Sequence, residues 1–236
     1  MNRILLSLLV VILFCGTGKA YAVERVVIRS ITVDNPDKVF ENIYLIADKN
    51  GADYNNFSVQ VGDFGRRVYN FPNWYHYSYE PKLYKEDLNG DKLEDIIVEL
   101  VTGAGTSVSE KAIHILHQGY TGFYDFQEVL VEPIKDAVKR LMKMEQKGIN
   151  ISVLIGKGKY IVDYSKFGYS TPVNRPGFGS IKGYEPKSGI LYGTTNVFVT
   201  IPEAYIGSLN VTYAWDGKMY KAKSVIFEPR SYKPTR

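Results

Sequence analysis

The 236-residue sequence contains one cysteine, three histidines and two tryptophans, and each shortage removes a class of chemistry. Cys15 falls inside the apolar segment at the start, so the rest of the chain has no thiol nucleophile and no disulfide to staple it. Two of the three histidines, His114 and His117, lie three apart in a strand-like stretch. Residues three apart on a strand point to opposite faces, which argues against a shared transition metal. The nucleophile elbow G-x-S-x-G is missing, because Gly177-Phe178-Gly179-Ser180 puts its serine in the wrong place. Gly103-Ala104-Gly105-Thr106 has no lysine to make a phosphate loop and reads as a hairpin turn. Charge of one sign is also scarce. Setting aside Arg3 and Lys19 in the leader, the 29 basic residues fall to 27 against 25 acidic ones. With no basic run either, the concentrated footprint of a nucleic-acid binder is absent.

Long apolar runs are lacking too. Ile4–Phe14 is the longest, at about eleven residues, well short of the roughly 20 that a spanning helix needs. With Arg3 before it and Ala20-Tyr21-Ala22 after it, Met1–Ala22 reads as a secretory signal cleaved after Ala22. Phe14 stands before Cys15 where a lipidated cysteine has a small residue, so a lipid anchor is not expected. The expected location is secreted or associated with the cell envelope.

The remaining 214 residues are rich in rings and turns, with 19 tyrosines and 21 glycines in the chain. Short alternating runs bounded by Asn-Gly, Gly-Lys-Gly and Asp-Gly predict strands near 26–33, 42–47, 57–61, 67–71, 82–85, 96–101, 112–117, 150–155, 159–164, Ile190, 197–201, 208–214 and 219–227. One amphipathic helix is expected over about 132–147, opened by Pro133 and closed by Gly148. Ser165–Gly179 reads as a long loop. The expected fold is therefore mainly β with one amphipathic helix (α+β), as antiparallel sheets or a small sandwich. The expected division is a β lobe at 23–118 and an α+β lobe at 119–236.

The sharpest chemical feature is Asp87-Leu88-Asn89-Gly90-Asp91-Lys92-Leu93-Glu94-Asp95, which runs directly into Ile96-Ile97-Val98. Asp87, Asn89, Asp91 and Asp95 place side-chain oxygens at alternate positions, and Leu93 offers its carbonyl between them. Hard cations such as Ca²⁺ take six to eight oxygens, and such a loop supplies most of them. The expected cofactor is a weakly held Ca²⁺. An EF-hand is excluded because its twelfth position would be Val98 and the exit is a strand. A metal-free Asx turn is the plainer alternative.

The spacing D-x-N-G-D-x-x-x-D before an apolar strand resembles the FG-GAP, integrin-type calcium loop of β-propeller proteins. Lys92 stands where that family has glycine. A complete propeller needs at least four blades, and one such loop does not supply them. With Tyr79–Glu86 leading in and Val101–Thr106 leading out, the stretch is similar to a family of secreted proteins of spore-forming Gram-positive bacteria. Gly179–Tyr184, Ala204–Gly207 and Lys218–Lys223 share that likeness. The resemblance implies export and a calcium-type loop, and it supplies no reaction.

Phe71-Pro72-Asn73-Trp74-Tyr75-His76-Tyr77-Ser78-Tyr79 is the second notable stretch. Trp74, Tyr75, Tyr77 and Tyr79 suit stacking on a sugar or a protein surface, or simply packing over a sheet end. The expected function is an exported, non-enzymatic protein with a binding or structural role, its partner a cell-wall glycan or another surface protein. The alternative is a hydrolase of wall or extracellular polysaccharide, which would need paired carboxylates.

Overall fold

The computed structural model describes residues 23–106, 108–119, 125–168, 176–199 and 205–231. The leader and the tail after Ser231 lie outside them. The protein is mainly β, in antiparallel and mixed sheets. Strands β1 (Glu24–Ile31), β2 (Ile43–Asn50), β3 (Asp53–Val61) and β4 (Val68–Tyr77) form an antiparallel meander in chain order. Gly51, with φ 65°, makes the turn between β2 and β3 that Asn50-Gly51 predicts. β4 is longer than its sequence pattern suggests and contains Pro72. It is an edge strand, where a missing N–H costs no ladder bond.

The next strands are β5 (Lys82–Glu86), β6 (Asp95–Gly105), β7 (Val108–Gly119) and β8 (Asp125–Val131). They share one eight-stranded sheet with β12 (Gly177–Lys187), β13 (Ile190–Phe198), β14 (Tyr205–Trp215) and β15 (Met219–Pro229), in the order β12-β13-β14-β15-β8-β7-β6-β5. The sheet curls until β12 touches β7 through the parallel pair Ile181↔Ser109. Strands from both expected lobes therefore stand in one sheet.

β6 explains the layering. Asp95–Val101 are all buried, as expected for a continuous apolar run covered on both faces. Ile96, Val98 and Leu100 face the first sheet, against Leu45, Phe57, Val59 and Trp74. Ile97 and its neighbour Ile115 face the larger core, built from Leu209, Val211, Tyr220 and Phe227 with helix α1 (Ile134–Leu141).

The helix is shorter than predicted. It stops at Leu141, and Met142–Lys147 is strand β9, paired with β10 (Asn150–Ile155), which pairs in turn with β11 (Gly158–Asp163). The cause is a change of period. Met142 and Met144 turn inward while Lys143, Glu145 and Lys147 stay exposed, a two-residue alternation. Gly148 closes the β9–β10 hairpin and not the helix. Glu132 anchors the helix start. Its carboxylate accepts two bonds from the Arg140 guanidinium (2.9 and 2.7 Å) and one from the Ala222 N–H (2.9 Å).

Sequence patterning misses β8 and β12; in β12, Gly177, Gly179, Gly183 and Pro186 hide the alternation. At the C-terminal hairpin, Asp216 Oδ1 accepts the N–H groups of Lys218 and Met219 (2.9 Å each) and Gly217 has φ 96°, as the Asp-Gly signal predicts.

Candidate metal centre

The Asp87–Asp95 loop joins β5 to β6, strands paired from Lys82↔Glu99 to Glu86↔Asp95. Its side chains coil it by bonding to its own backbone. Asp87 accepts the N–H groups of Gly90 (2.7 Å) and Lys92 (2.9 Å). Asn89 Oδ1 accepts from Asp91 N (2.9 Å), and Asp91 Oδ1 accepts from Leu93 N (2.8 Å). Two left-handed residues make the coil possible, Gly90 at φ 82° and Lys92 at φ 71°. For lysine that conformation costs roughly 1–2 kcal/mol. Leu88 is buried in the larger core and pins the loop from below.

Asp95 closes the turn and is fully buried. Its carboxylate accepts the N–H groups of Leu88 (3.0 Å) and Gln118 (3.3 Å), tying the loop to β7. Burial, reinforced by the charges of Asp91 and Asp87, pushes its pKa up to about 7 against the two N–H bonds. The charges of Asp91 and Asp87 thus add to the cost of ionising Asp95. Of the lysines at the loop, Lys85 pairs with the loop's own Glu94 (2.6 Å) and Lys92 faces solvent.

His117 lies beside the loop on the inward face of β7. Its Nδ1 accepts from Asn89 Nδ2 (3.4 Å), which leaves the ring proton on Nε2 to be donated to the Tyr220 hydroxyl oxygen (2.8 Å). Burial lowers its pKa, so at 3.9 Å from Asp95 it gives little positive charge. His114 takes the opposite face, stacked on Trp74 (4.0 Å) and bonded to Glu128 (2.8 Å).

The five predicted ligand residues therefore share one turn, but their oxygens do not meet at one point. Among the described residues, no group of three or more His, Cys, Asp or Glu side chains is placed to hold a metal ion. The carboxylates of Asp87 and Asp91 are turned onto loop N–H groups, and Asp95 is turned toward Leu88 and Gln118. Each carboxylate keeps further lone pairs beyond these bonds. The donor set, hard oxygens at alternate positions of one turn, is of the type a hard cation takes.

The aromatic stretch is divided by the strand it forms. Trp74 turns inward, 6% exposed, stacked between Phe71 (4.0 Å, 10°) and His114. His76 is also buried, accepting from Val101 N (2.9 Å) and donating to the Tyr79 carbonyl (2.9 Å). Tyr75 and Tyr77 point outward from the first sheet, and Tyr79 is the most exposed of the group. Trp74 thus stands apart from the other three predicted surface residues.

No family model, curated protein or solved structure matches this chain. Its chemistry has to be read from its own residues.

One further site escaped the sequence reading. Where β6 and β12 diverge, a cavity of about 300 Å³ is lined by Lys82, Tyr84, Glu99, Lys111, Tyr184 and Glu185, among others. Glu99 is 3% exposed and accepts the Tyr184 N–H (2.7 Å), while its other oxygen meets Lys82 (3.2 Å) and Lys111 (3.0 Å). The only signal in the sequence was a single charge inside the apolar run Ile96–Val101.

Proposed function

We propose that the Asp87–Asp95 loop binds Ca²⁺, and that the protein is an exported, non-enzymatic binding or structural component at or beyond the cell surface. The observation that carries the metal reading is the loop's charge geometry. Four carboxylates and an asparagine share a nine-residue turn, with Glu94 paired to Lys85 and Asp95 fully buried, beside a histidine kept neutral. A divalent cation offsets that charge, with Asp87, Asn89, Asp91, Asp95 and the Leu93 carbonyl as its ligands. The left-handed Lys92 places a positive side chain on the same turn, which favours weak binding. The leader supports export, and no helix among the described residues is long and apolar enough to cross a membrane.

Calorimetric titration of the chain from Val23 with CaCl₂ tests the metal reading, with Asp91→Asn as control. Saturable binding that the variant loses supports it, whereas no heat of binding at millimolar calcium contradicts it. The second reading, a polysaccharide hydrolase, draws on Glu99 and Glu185 lining one cavity. It is weaker because both oxygens of Glu99 are already bonded to lysines or to the Tyr184 N–H. Release of reducing ends from wall polysaccharide, lost in Glu185→Gln, would favour it.

A further inference from the structure

On the inward side of the curled sheet, the pair Ile115↔Val129 is the last apolar step of β7 and β8. The next pairs on that face are His117↔Gln127 and Gly119↔Asp125. β15 covers β8 at Leu130 and Val131. Before that point, β8 faces the turn between β14 and β15 across a cleft of about 580 Å³. That volume lies within the range of small-molecule sites, roughly 300–1,000 Å³, and the open mouth of a curled sheet is a common place for one. The lining includes Trp215, His117, Gln118, Gln127, Asp125 and Lys218.

Trp215 is the organising group. Its half-buried ring meets His117 edge-on (4.5 Å between centroids, 68°) and tilts against Tyr220 (5.3 Å). His117 is itself fixed by Tyr220 and Asn89. The indole is thus oriented before any ligand arrives, which lowers the entropic cost of binding.

We propose that this cleft binds a neutral oligosaccharide, with Trp215 as the stacking platform and Gln127 and Asp125 as hydrogen-bonding partners for its hydroxyls. A pyranose has an apolar C–H face that suits an aromatic plane, and a rim of hydroxyls that both donate and accept. Glutamine amides do both as well, and a carboxylate accepts. Asp125 and Glu128 outnumber Lys218 in the lining, so the cleft carries no positive surplus to recruit a uronate or a phosphate. A peptide added to the open edge of β8 fits less well, since strand addition reads alternate side chains in pockets. The aliphatic lining here is Val129 and Leu130 alone. The cleft does not rest on the calcium reading, although β7 carries both: the Gln118 N–H holds Asp95.

The chain has two tryptophans, and Trp74 is buried away from this cleft, so a change in indole fluorescence on adding ligand reports on Trp215. The test titrates the whole protein with tetramers of N-acetylglucosamine, β-1,4-glucose and α-1,4-glucose, and with tetragalacturonate as the acidic comparison. Each titration is run in calcium and in chelator. The expected result is a saturable fluorescence change with at least one neutral tetramer, in calcium alone or in both buffers. Gln127→Ala, an exposed position, should keep the unmodified melting temperature and weaken binding about tenfold by calorimetry. Trp215→Phe should abolish the fluorescence change. The proposal is overturned if no neutral tetramer binds in either buffer, if tetragalacturonate binds more tightly, or if both variants bind as well as the unmodified protein. Calcium titration of the same samples reads the Asp87–Asp95 loop separately, so the two readings fail independently.

Discussion

Removing the Trp74 ring should loosen the junction between the two sheets. The indole lies between Phe71 and His114, each 4.0 Å away, and a third ring, Phe57, is 6.1 Å away. Burial of a large aromatic to this extent makes Trp74→Ala cost about 3–5 kcal/mol, combining lost transfer energy and the cavity left behind. The two stacked contacts, each worth roughly 0.5–1.5 kcal/mol beyond area burial, are part of that sum. For a domain of this size each kcal/mol moves the melting temperature by about 2–4 °C, so the expected fall is roughly 6–20 °C. Thermal melts followed by circular dichroism measure it, with Tyr75→Ala on the outward face of the same strand as control. That control should shift by no more than about 2 °C. A Trp74→Ala protein melting within about 2 °C of the unmodified one would refute the packing described, and would return Trp74 to the surface.

Lys92→Gly should stabilise the protein by about 1 kcal/mol in denaturant titrations by relieving left-handed backbone strain, and should also tighten calcium. Glu132→Ala should cost about 2–3 kcal/mol in the same assay, because it strands the buried Ala222 N–H and frees Arg140 from the helix start. The Asp95 carboxyl titrates near 7 in the folded chain against 3.8 for the ordinary side chain. In chelator, its contribution to stability is therefore full below about pH 4 and is lost as pH rises through 7, by at most about 4 kcal/mol. Asp95→Asn should remove that slope, so the variant is the more stable at pH 8 without calcium. His76 and His117, whose pKa values burial lowers, are neutral in both proteins at pH 8 and so do not enter that comparison.

The hairpins were the most legible parts of the fold. Asn50-Gly51, Asp216-Gly217 and the Asp87 loop announce their turns by local chemistry, and each turn lies where that chemistry put it. β6 was legible because its unbroken apolar run has few alternatives to a strand covered on both faces. β12 was not, because its glycines erase the alternation and part of its support comes from Glu99, far away in the sequence. The helix was overextended because Met142 continues the apolar face of Ile134, Val138 and Leu141 as well as it starts a strand face. Pairing with β10, a tertiary matter, decides between them. At the loop, the sequence identified the residues and the strained Lys92. The burial of Asp95 and the neighbouring His117 depend on β7, which no local pattern reports.

The most direct test of the calcium loop is the melting temperature of the unmodified protein in 1 mM calcium against chelator. Sites in extracellular modules have Kd of about 10⁻⁴–10⁻³ M, which gives a stabilisation of roughly 0.4–1.4 kcal/mol at that concentration. The account predicts a rise of about 1–6 °C, growing with calcium and lost in Asp91→Asn. Equal melting temperatures in both buffers, unchanged when calcium is raised further, would contradict it and leave a metal-free turn.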